Sequence, residues 1–285
     1  MKINTPSHLK VPSLLMNFPF TLSNDYHNNP WMKEYNAEKI DYDLAFSQFT
    51  NVYQRMSQEA LIYLLPSEGE FQDQIYVANL GCYLPHITED TIIVANYKSP
   101  PRVGEEVVGE KFFKMMKYKV DKPPTCWEGE ADLKYIRDNI YVCGYGIRTD
   151  VETHDWFRRS YDMNILPLFM NDEWLYHLDC LLMPITKDKV LAVTHLIKPE
   201  ELRNLEKYVE VISIPEQYAY DGWTNSVIVG NKVFYGVLDD ASAEGHAEFE
   251  RLMAQHNLYA VPLDISEFDK SGACLSCMVM HFNYL

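Results

Sequence analysis

The chain has 285 residues, 47% of them hydrophobic, and a formal net charge of −16. This length is enough for a sizeable core. The acidic balance, with no run of Lys and Arg to offset it, argues against a nucleic-acid partner. No apolar run reaches the about 18 residues of a membrane span, so no membrane partner is expected.

The N-terminal 20 residues contain a short apolar patch that Pro12 and Pro19 interrupt. Because they show no clean cleavage site, we interpret them as mature protein and not as a signal. Cysteine is sparse for this length, and several of the six lie in apolar, strand-like stretches: Cys82, Cys126, Cys143, Cys180, Cys274 and Cys277. This usage predicts reduced thiols and a cytoplasmic location rather than a disulfide framework.

In chain order, residues 14–22 are predicted to form a strand and 39–56 an amphipathic helix. A pattern of Ile, two residues, Asp or Asn, one residue and a large apolar residue then recurs four times. It begins at Ile87, Ile136, Ile185 and Ile228, with spacings of 49, 49 and 43 residues. Apolar runs joined by a polar turn predict β-hairpins, and the near-constant period indicates a repeat architecture.

A helix-like stretch follows each hairpin, at 104–119, 153–161, 199–208 and 245–257, and strands return at 209–214 and 258–265. The repeating unit is therefore β-hairpin, helix, strand, about 45 residues long. The two ends of the chain supply the parts of a fifth unit, whose closing strand is CMVMHF. We therefore predict one α/β domain over 1–285, a closed propeller of five modules, because closure removes open sheet edges.

Three polar residues stand eight positions before the first three repeat Ile residues: Asn79, Glu128 and His177. Equal placement in successive modules predicts that they converge near the pseudo-symmetry axis. A Cys on the closing strand would complete a set suited to nucleophilic catalysis. The thiolate attacks, the imidazole moves protons and the carboxylate fixes the imidazole tautomer.

Further carboxylates share the parity of these residues if the stretches are strands. Asp179 would face the same side as His177, while Glu130 and Asp132 would face the same side as Glu128. Carboxylates around a Cys–His pair favour a cationic substrate, and a planar guanidinium accepts bidentate pairing best.

Other interpretations of the two C-terminal cysteines stay open at this point. A strand Cys or His is more often inert core than a reactive group. Cys274 and Cys277 have the spacing of a redox pair but lack a thioredoxin-like setting. With His281 they offer three zinc ligands but no nearby fourth. With no phosphate-binding Gly loop and no convincing metal cluster, we expect no cofactor and no metal.

Seven short motifs, in order along nearly the whole chain, resemble the guanidine-modifying pentein superfamily, and most closely its arginine dihydrolase-like branch. That superfamily comprises dimethylarginine dimethylaminohydrolases, arginine deiminases, arginine dihydrolases and amidinotransferases. The motifs are Asn29-Pro-Trp-Met32, Val77-Ala-Asn79, Pro101-Arg102-Val-Gly-Glu105, Glu128-Gly-Glu-Ala-Asp132, Gly144-Tyr-Gly-Ile-Arg148-Thr149, His177-Leu-Asp179 and Gly272-Ala-Cys-Leu-Ser-Cys277.

The resemblance implies catalytic roles for three residues. Cys277 would be the nucleophile, His177 the general acid and base, and Glu128 the residue that orients His177. Cys274 falls where the family tolerates various residues and receives no role.

The resemblance also implies a set of substrate-binding residues. Asp132 and Asp179 would hold the guanidinium nitrogens, while Asn29, Asn79 and Arg102 would line the rest of the site. Arg102 would pair with an α-carboxylate.

The family resemblance implies hydrolysis of the C–N bonds of a small-molecule guanidinium substrate through a covalent Cys thiouronium intermediate. Arginine is the expected substrate, giving citrulline or ornithine with ammonia. Two departures from the family pattern concern the site: Glu130 and Ala131 replace small residues, and Asn79 replaces the Asp of many deiminases, which favours a dihydrolase. Dimethylarginine hydrolysis, amidino transfer to an amine and a non-catalytic binding module remain alternatives, and we expect a monomer or homodimer.

Overall fold

The strands of the protein form five separate three-stranded sheets in a computed structural model that describes residues 5–35, 38–69, 71–238 and 243–285. The strands are β1 (Ser13–Asn17), β2 (Leu61–Leu65), β3 (Gly81–Tyr83), β4 (Thr91–Val94), β5 (Lys119–Asp121), β6 (Leu133–Arg137), β7 (Ile140–Tyr145), β8 (Asn164–Phe169), β9 (Leu182–Thr186), β10 (Lys189–Ala192), β11 (Glu210–Ser213), β12 (Val227–Val229), β13 (Lys232–Val237), β14 (Tyr259–Asp264) and β15 (Met280–His281). The helices are α1 (Pro30–Glu34), α2 (Tyr42–Met56), α3 (Glu105–Met115), α4 (Glu152–Tyr161), α5 (Pro199–Leu205), α6 (Glu216–Tyr220), α7 (Ala243–Gln255) and α8 (Ser266–Asp269). Within the four described ranges, no helix is long and apolar enough to cross a bilayer.

Each sheet repeats one topology, which confirms the predicted five-module α/β fold. In the sheet β6-β7-β8, the hairpin strands β6 and β7 are antiparallel, and β7 is parallel to β8. Parallel neighbours need a crossover connection, and α4 supplies it between β7 and β8. The helices α2, α3, α5 and α7 occupy the same place in the other four modules.

The crossover helices bury one apolar face against their sheets. In α7, Gly245, Phe249 and Met253 are buried at four-residue spacing, as an amphipathic helix requires. Phe249 packs on Trp223 and Tyr235, with ring centroids 5.0 and 4.8 Å apart. Hydrophobic periodicity thus fixes which face of the helix covers the module.

The fifth sheet joins the two ends of the chain, as predicted. Its order is β15-β1-β2, with β15 antiparallel to β1 through the pairs Leu14↔His281 and Leu15↔Met280. Leu15 and Met280 are fully buried. This sheet closes the ring of modules and carries the C-terminal segment to the axis.

Truncation of Leu15 is expected to loosen this closing sheet. Leu15→Ala should lower the free energy of unfolding by about 2–5 kcal/mol, because it leaves a cavity in a packed core. Leu64→Ala is the matched control, since Leu64 is 45% exposed on β2 and should cost within about 0.5 kcal/mol. Urea denaturation followed by tryptophan fluorescence measures both. Equal losses would show that the closing sheet is not a packed part of the fold.

We call the edge strand of each antiparallel pair, which is β3, β6, β9, β12 or β15, the inner strand of its sheet. Short 3-10 turns precede four of these strands, and we call them the axial turns: Val77–Asn79, Gly129–Ala131, Leu178–Cys180 and Ser276–Met278. The first axial turn contacts the second and the fourth, and the second contacts the third. Gly129 makes this approach possible. Its φ is +65°, and a Cβ there would lie 2.3 Å from the carbonyl oxygen of Ala78.

The predicted equivalence of Asn79 with Glu128 and His177 is wrong. Glu128 and His177 each stand immediately before an axial turn, whereas Asn79 is the last residue of its turn. The cause is the first hairpin, whose loop spans 84–90, while the second hairpin turns in two residues. Ile87 therefore lies in a loop, although Ile136 lies in β6.

Candidate active site

A cavity of about 20 Å³ lies where the axial turns meet, which is room for about one water molecule. We call it the axial cavity. Its walls are Asn28, Asn29, Asp73, Tyr76, Asn79, Arg102, Arg148, Tyr176, His177, Ser271, Ala273 and Cys277. Five of the predicted site residues are therefore brought together: Asn29, Asn79, Arg102, His177 and Cys277.

Cys277 lies within an axial turn and not on a strand, contrary to the prediction. Its side chain is 8% exposed. The Oδ1 atom of Asn225 accepts from the backbone N–H of Ser276 at 3.0 Å and lies 3.5 Å from the Cys277 Sγ. Burial, with the nearby charge of Asp179, raises the pKa of the Cys277 thiol to about 12. The free protein therefore holds Cys277 as a thiol at neutral pH.

The reactivity of Cys277 should follow this raised pKa. Below about pH 12 the rate of iodoacetamide alkylation should rise about tenfold per pH unit, because only the thiolate reacts. Asn225→Asp places a carboxylate beside the sulfur, so at pH 8 it should be alkylated about tenfold more slowly than the unsubstituted protein. Asn231→Asp, in an exposed turn, should leave the rate unchanged. Mass spectrometry of the modified peptide measures each rate, and a plateau near pH 8 would contradict the assignment.

His177 and Glu128 form a buried pair. The His177 Nε2 is 2.8 Å from the Glu128 Oε2, and Glu128 is fully buried. Asn79 Nδ2 lies 3.3 Å from the same imidazole nitrogen. Donation from Nε2 to the carboxylate sets the imidazole tautomer, which leaves Nδ1 free to take up a proton.

Arg148 holds Glu128 from the other side, a contact that the sequence did not assign. Its Nη1 donates to Glu128 Oε2 at 3.0 Å and its Nη2 to the carbonyl of Asn28 at 2.9 Å, while the guanidinium lies over Tyr176. Burial alone would raise the pKa of Glu128, but Arg148 and His177 lower it below its usual range. Glu128 is therefore an ionised carboxylate. The signal for Arg148 was its place in the GYGIRT motif.

Arg102 reaches the axial cavity from a fixed position. Its Nη2 donates to Glu105 Oε2 at 2.7 Å and to the carbonyls of Asp73 and Tyr76, while Nε also faces Glu105. Glu105 is the first residue of α3 and is buried. Among the described residues, Nη1 of Arg102 has no acceptor. That nitrogen is available to an anion in the cavity.

Asp73 is a second residue of the cavity wall that the sequence did not single out. Its Oδ2 accepts from Asn28 Nδ2, but the buried Oδ1 has no hydrogen-bond partner among the described residues. Burial raises the pKa of Asp73, against the opposing charge of Arg102. An unpaired buried carboxylate oxygen is costly, so Asp73 points to a ligand that donates a hydrogen bond. Asp73 lies in a stretch without hydrophobic periodicity, so the sequence did not predict its place in the cavity wall.

Asp132 and Asp179 do not line the axial cavity. Asp132 accepts from Thr149 Oγ1 at 2.7 Å and from the backbone N–H of Leu178 at 3.0 Å. Asp179 accepts from Ser276 Oγ at 2.8 Å. The predicted strand alternation fails here, because residues 178–180 form an axial turn. Their guanidinium contacts stay a prediction, while the observed bonds position the turns that carry His177 and Cys277.

Glu130 points away from the axial cavity and adds no acid there. It accepts from His281 Nδ1 at 2.8 Å and from Tyr284 Oη at 3.1 Å. His281 lines a different cavity from Cys277, so the possible zinc ligands do not converge. Within the described part of the chain, no group of three His, Cys, Asp or Glu residues is placed to hold a metal ion. Cys274 and Cys277 are both free thiols.

Asn29 belongs to the cavity wall for a local reason. It is the N-cap of α1: its Oδ1 accepts from the backbone N–H of Met32 at 2.9 Å, and its Nδ2 donates to the carbonyl of Ser271. Gly272 has a φ of +69°, and a Cβ there would lie 2.7 Å from Trp31. The NPWM segment and the C-terminal glycine are therefore packed against each other over the site.

Several known proteins are similar to this chain in sequence and in fold. No family model matches it. It is 26% identical over 262 residues to the bifunctional arginine dihydrolase/ornithine cyclodeaminase AgrE of Nostoc sp., covering 90% of this chain and 36% of that protein. It is 25% identical to the N(G),N(G)-dimethylarginine dimethylaminohydrolase of Mycobacterium tuberculosis, covering 90% of this chain and 82% of that protein. The chain thus spans about a third of the length of the bifunctional relatives.

A solved structure matches the whole architecture. The substrate-bound N-terminal domain of ArgZ, an arginine dihydrolase from cyanobacteria, superposes with a TM-score of 0.86 at 21% identity, covering 95% of this chain and 98% of that domain. The resemblance to the guanidine-modifying pentein superfamily, and to its arginine dihydrolase-like branch, is thereby confirmed.

Proposed function

We propose that this pentein-fold chain is a hydrolase that cleaves the guanidinium C–N bonds of arginine, acting as one catalytic domain over residues 1–285. One observation carries the proposal. The axial cavity joins a Cys277–His177–Glu128 set to two buried guanidinium groups and an unpaired carboxylate oxygen. The arginine dihydrolases and the dimethylarginine hydrolase among its relatives support the same class of reaction.

The polar walls of the cavity suit the head group of a free amino acid. Arg102 and Arg148 both face it, and two cations in one buried site favour an α-carboxylate between them. Asp73 Oδ1 is free to accept from the α-ammonium or from a guanidinium N–H. The head group would thereby be fixed, and the guanidinium carbon would be presented to Cys277.

Substrate binding would activate the nucleophile. The Cys277 thiol has its pKa raised by burial to about 12, and a guanidinium cation beside the sulfur would lower that pKa. The proton then passes from Sγ to His177 as the sulfur attacks the guanidinium carbon. The ionised Glu128 stabilises the imidazolium that forms.

The remaining steps return every group to its starting state. His177 gives its proton to the departing nitrogen, the C–N bond breaks and ammonia leaves a Cys277 thiouronium. His177 then takes a proton from water, a C–O bond forms and the C–S bond breaks, which gives citrulline, the thiol and one proton, and this proton leaves through His177 to the released ammonia or to solvent. A second cycle on citrulline would give ornithine, ammonia and carbon dioxide. Asn79, at 3.3 Å from His177, takes the place of the Asp of many deiminases and supports the dihydrolase reaction.

The axial cavity, at about 20 Å³, is too small to hold arginine, so binding of arginine requires movement. An outer cavity of about 300 Å³ lies beside it and shares Asn28 and Arg148 with it. The hydrogen bond from Arg148 to the Asn28 carbonyl joins the two residues that line both cavities. We infer that this bond opens to admit substrate and that the incoming carboxylate takes over the Arg148 contact.

Product analysis tests the proposal. The protein is incubated in turn with L-arginine, L-citrulline and asymmetric dimethylarginine, and amino acids and amines are quantified by chromatography. Ornithine with two equivalents of ammonia identifies a dihydrolase, citrulline with one identifies a deiminase, and dimethylamine identifies a dimethylarginine hydrolase. Product that forms only when glycine is added identifies an amidinotransferase. No turnover of any of the three would contradict a hydrolase and favour the binding module.

Two further expectations belong to this proposal. All six cysteines are free, which supports a reducing, cytoplasmic location. A monomer or homodimer is expected, and light scattering of the purified protein distinguishes the two.

A further inference from the structure

A second cavity, of about 130 Å³, lies on the opposite side of the axial turn Ser276–Met278. We call it the rear cavity. Ser276 lines it, whereas Cys277 lines the axial cavity. Its walls come from the inner strands β6, β9, β12 and β15. The volume holds several water molecules or a small organic molecule, and an adjoining outer pocket shares Ile228 and His281 with it.

Most polar groups of the rear cavity are already occupied. Glu130 accepts from His281 and Tyr284. The hydroxyl of Ser226 donates to the carbonyl of Trp223 at 2.9 Å, and that of Ser276 donates to Asp179. None of these groups needs a ligand.

Lys134 is the exception. Its ammonium lies 3.9 Å from Asp179 Oδ2, and its side chain is 16% exposed. Apart from this ion pair, Nζ donates no hydrogen bond among the described residues, so the half-buried ammonium can still donate to a ligand. Lys134 is therefore the cationic group that the rear cavity offers to a ligand, since the Glu130 carboxylate is engaged by His281 and Tyr284.

The other walls are apolar. Leu133, Met183, Val227 and Val279 are buried there beside the half-buried Ile228. A matching ligand thus needs one anionic end and a short apolar body. We propose that the rear cavity is an effector site for a small aliphatic carboxylate, with Lys134 Nζ pairing its carboxylate and its body packed between β9 and β12.

An occupant of this site would act on the nucleophile through one residue. Asp179 lies between Lys134 and the axial turn, since it accepts from Ser276, the residue before Cys277. Burial and, after it, Asp179 raise the pKa of the Cys277 thiol, and Lys134 is among the groups that oppose this shift. A carboxylate beside Lys134 would offset its charge, so it should make Cys277 less reactive. The ligand is therefore an inhibitory effector rather than a second substrate.

Titration calorimetry with acetate, butyrate, isovalerate and hexanoate, and with the corresponding amides, tests the site. At least one carboxylate should bind with a Kd of about 1 mM, and its amide at least about tenfold more weakly. The same carboxylate at saturation should slow iodoacetamide alkylation of Cys277 by about threefold or more. Binding is measured directly, so the result does not depend on whether the chain hydrolyses arginine.

Variants show whether a carboxylate binds at Lys134 in the rear cavity or at the arginines of the axial cavity. Lys134→Met should abolish carboxylate binding, and Ile228→Trp, which fills the cavity but keeps Lys134, should do the same. Lys187→Met is the control, since Lys187 lines the outer pocket but not the rear cavity. Thermal unfolding verifies that each variant is folded. The proposal would be overturned if every carboxylate bound with a Kd weaker than about 10 mM. It would also be overturned if carboxylate binding were unchanged in both Lys134→Met and Ile228→Trp.

Discussion

Cys277→Ser should lower the release of ammonia from L-arginine by at least about 10³-fold, since the hydroxyl cannot replace the thiolate as nucleophile. Its side chain is buried in an axial turn and touches Asn225. A serine there keeps the size and the hydrogen bond, so the fold should be preserved. Ammonia release under saturating arginine measures the loss.

Cys274→Ser is the matched control for this experiment. Cys274 lies three residues earlier and is absent from the walls of the axial cavity, so its replacement should change the rate by less than about twofold. Equal losses in both variants would indicate a paired-thiol mechanism. Undiminished turnover by Cys277→Ser would remove the nucleophile assignment altogether.

Glu128→Gln should lower kcat by about 10²–10⁴-fold with a smaller effect on KM, because it removes the charge that stabilises the His177 imidazolium. The amide also places an N–H where Arg148 or His177 now donates. The pH profile of kcat should change as well, since a negative charge no longer faces the His177 imidazole. Steady-state kinetics from pH 6 to 10 with L-arginine test this.

A second His–Glu pair in the chain offers the control. His195 and Glu216 also lie 2.8 Å apart, but their side chains are 54% and 38% exposed. Glu216→Gln should leave kcat and its pH profile unchanged. If Glu128→Gln kept the wild-type rate and profile, Glu128 would be a structural residue and not the partner of the catalytic base.

The regular parts of the fold could be predicted because each carries a strong local signal. The helix expected at 39–56 begins at Tyr42, where Asp41 caps it by accepting from the backbone N–H of Leu44. The strand expected at 14–22 ends at Asn17. Boundaries differ by a few residues because capping and pairing, and not periodicity, decide where an element stops.

The axial turns could not be predicted in this way. Residues 178–180 and 276–278 are apolar enough to suggest strands, but they form single 3-10 turns that tertiary contacts hold at the axis. The motifs placed Cys277 and His177 in one cavity, where both are found, whereas strand parity did not predict the direction of the Asp179 side chain in its turn. Side-chain direction in a turn depends on its neighbours, so parity along the chain gave the wrong answer.

The residues that contact the reactive groups were the hardest to predict from the sequence. Asn225 contacts Cys277 from the fourth module, and Asp73, in the segment before the first axial turn, has a carboxylate oxygen without a partner in the part of the chain that the structure describes. Neither carries a periodic pattern, since each has its role only once five modules are assembled. Arg148 was visible as part of a motif, but its contact with Glu128 needed the folded chain.

The pairing of β15 with β1 also has a consequence for protein synthesis. The strand next to the candidate nucleophile, β15, follows every other strand of the five sheets in the chain, whereas its partner β1 precedes them all. A nascent chain can complete the middle modules early, but Cys277 can approach His177 only after β15 has paired with β1. Chains that stop before residue 277 would therefore lack the candidate nucleophile together with the strand that closes the ring of sheets.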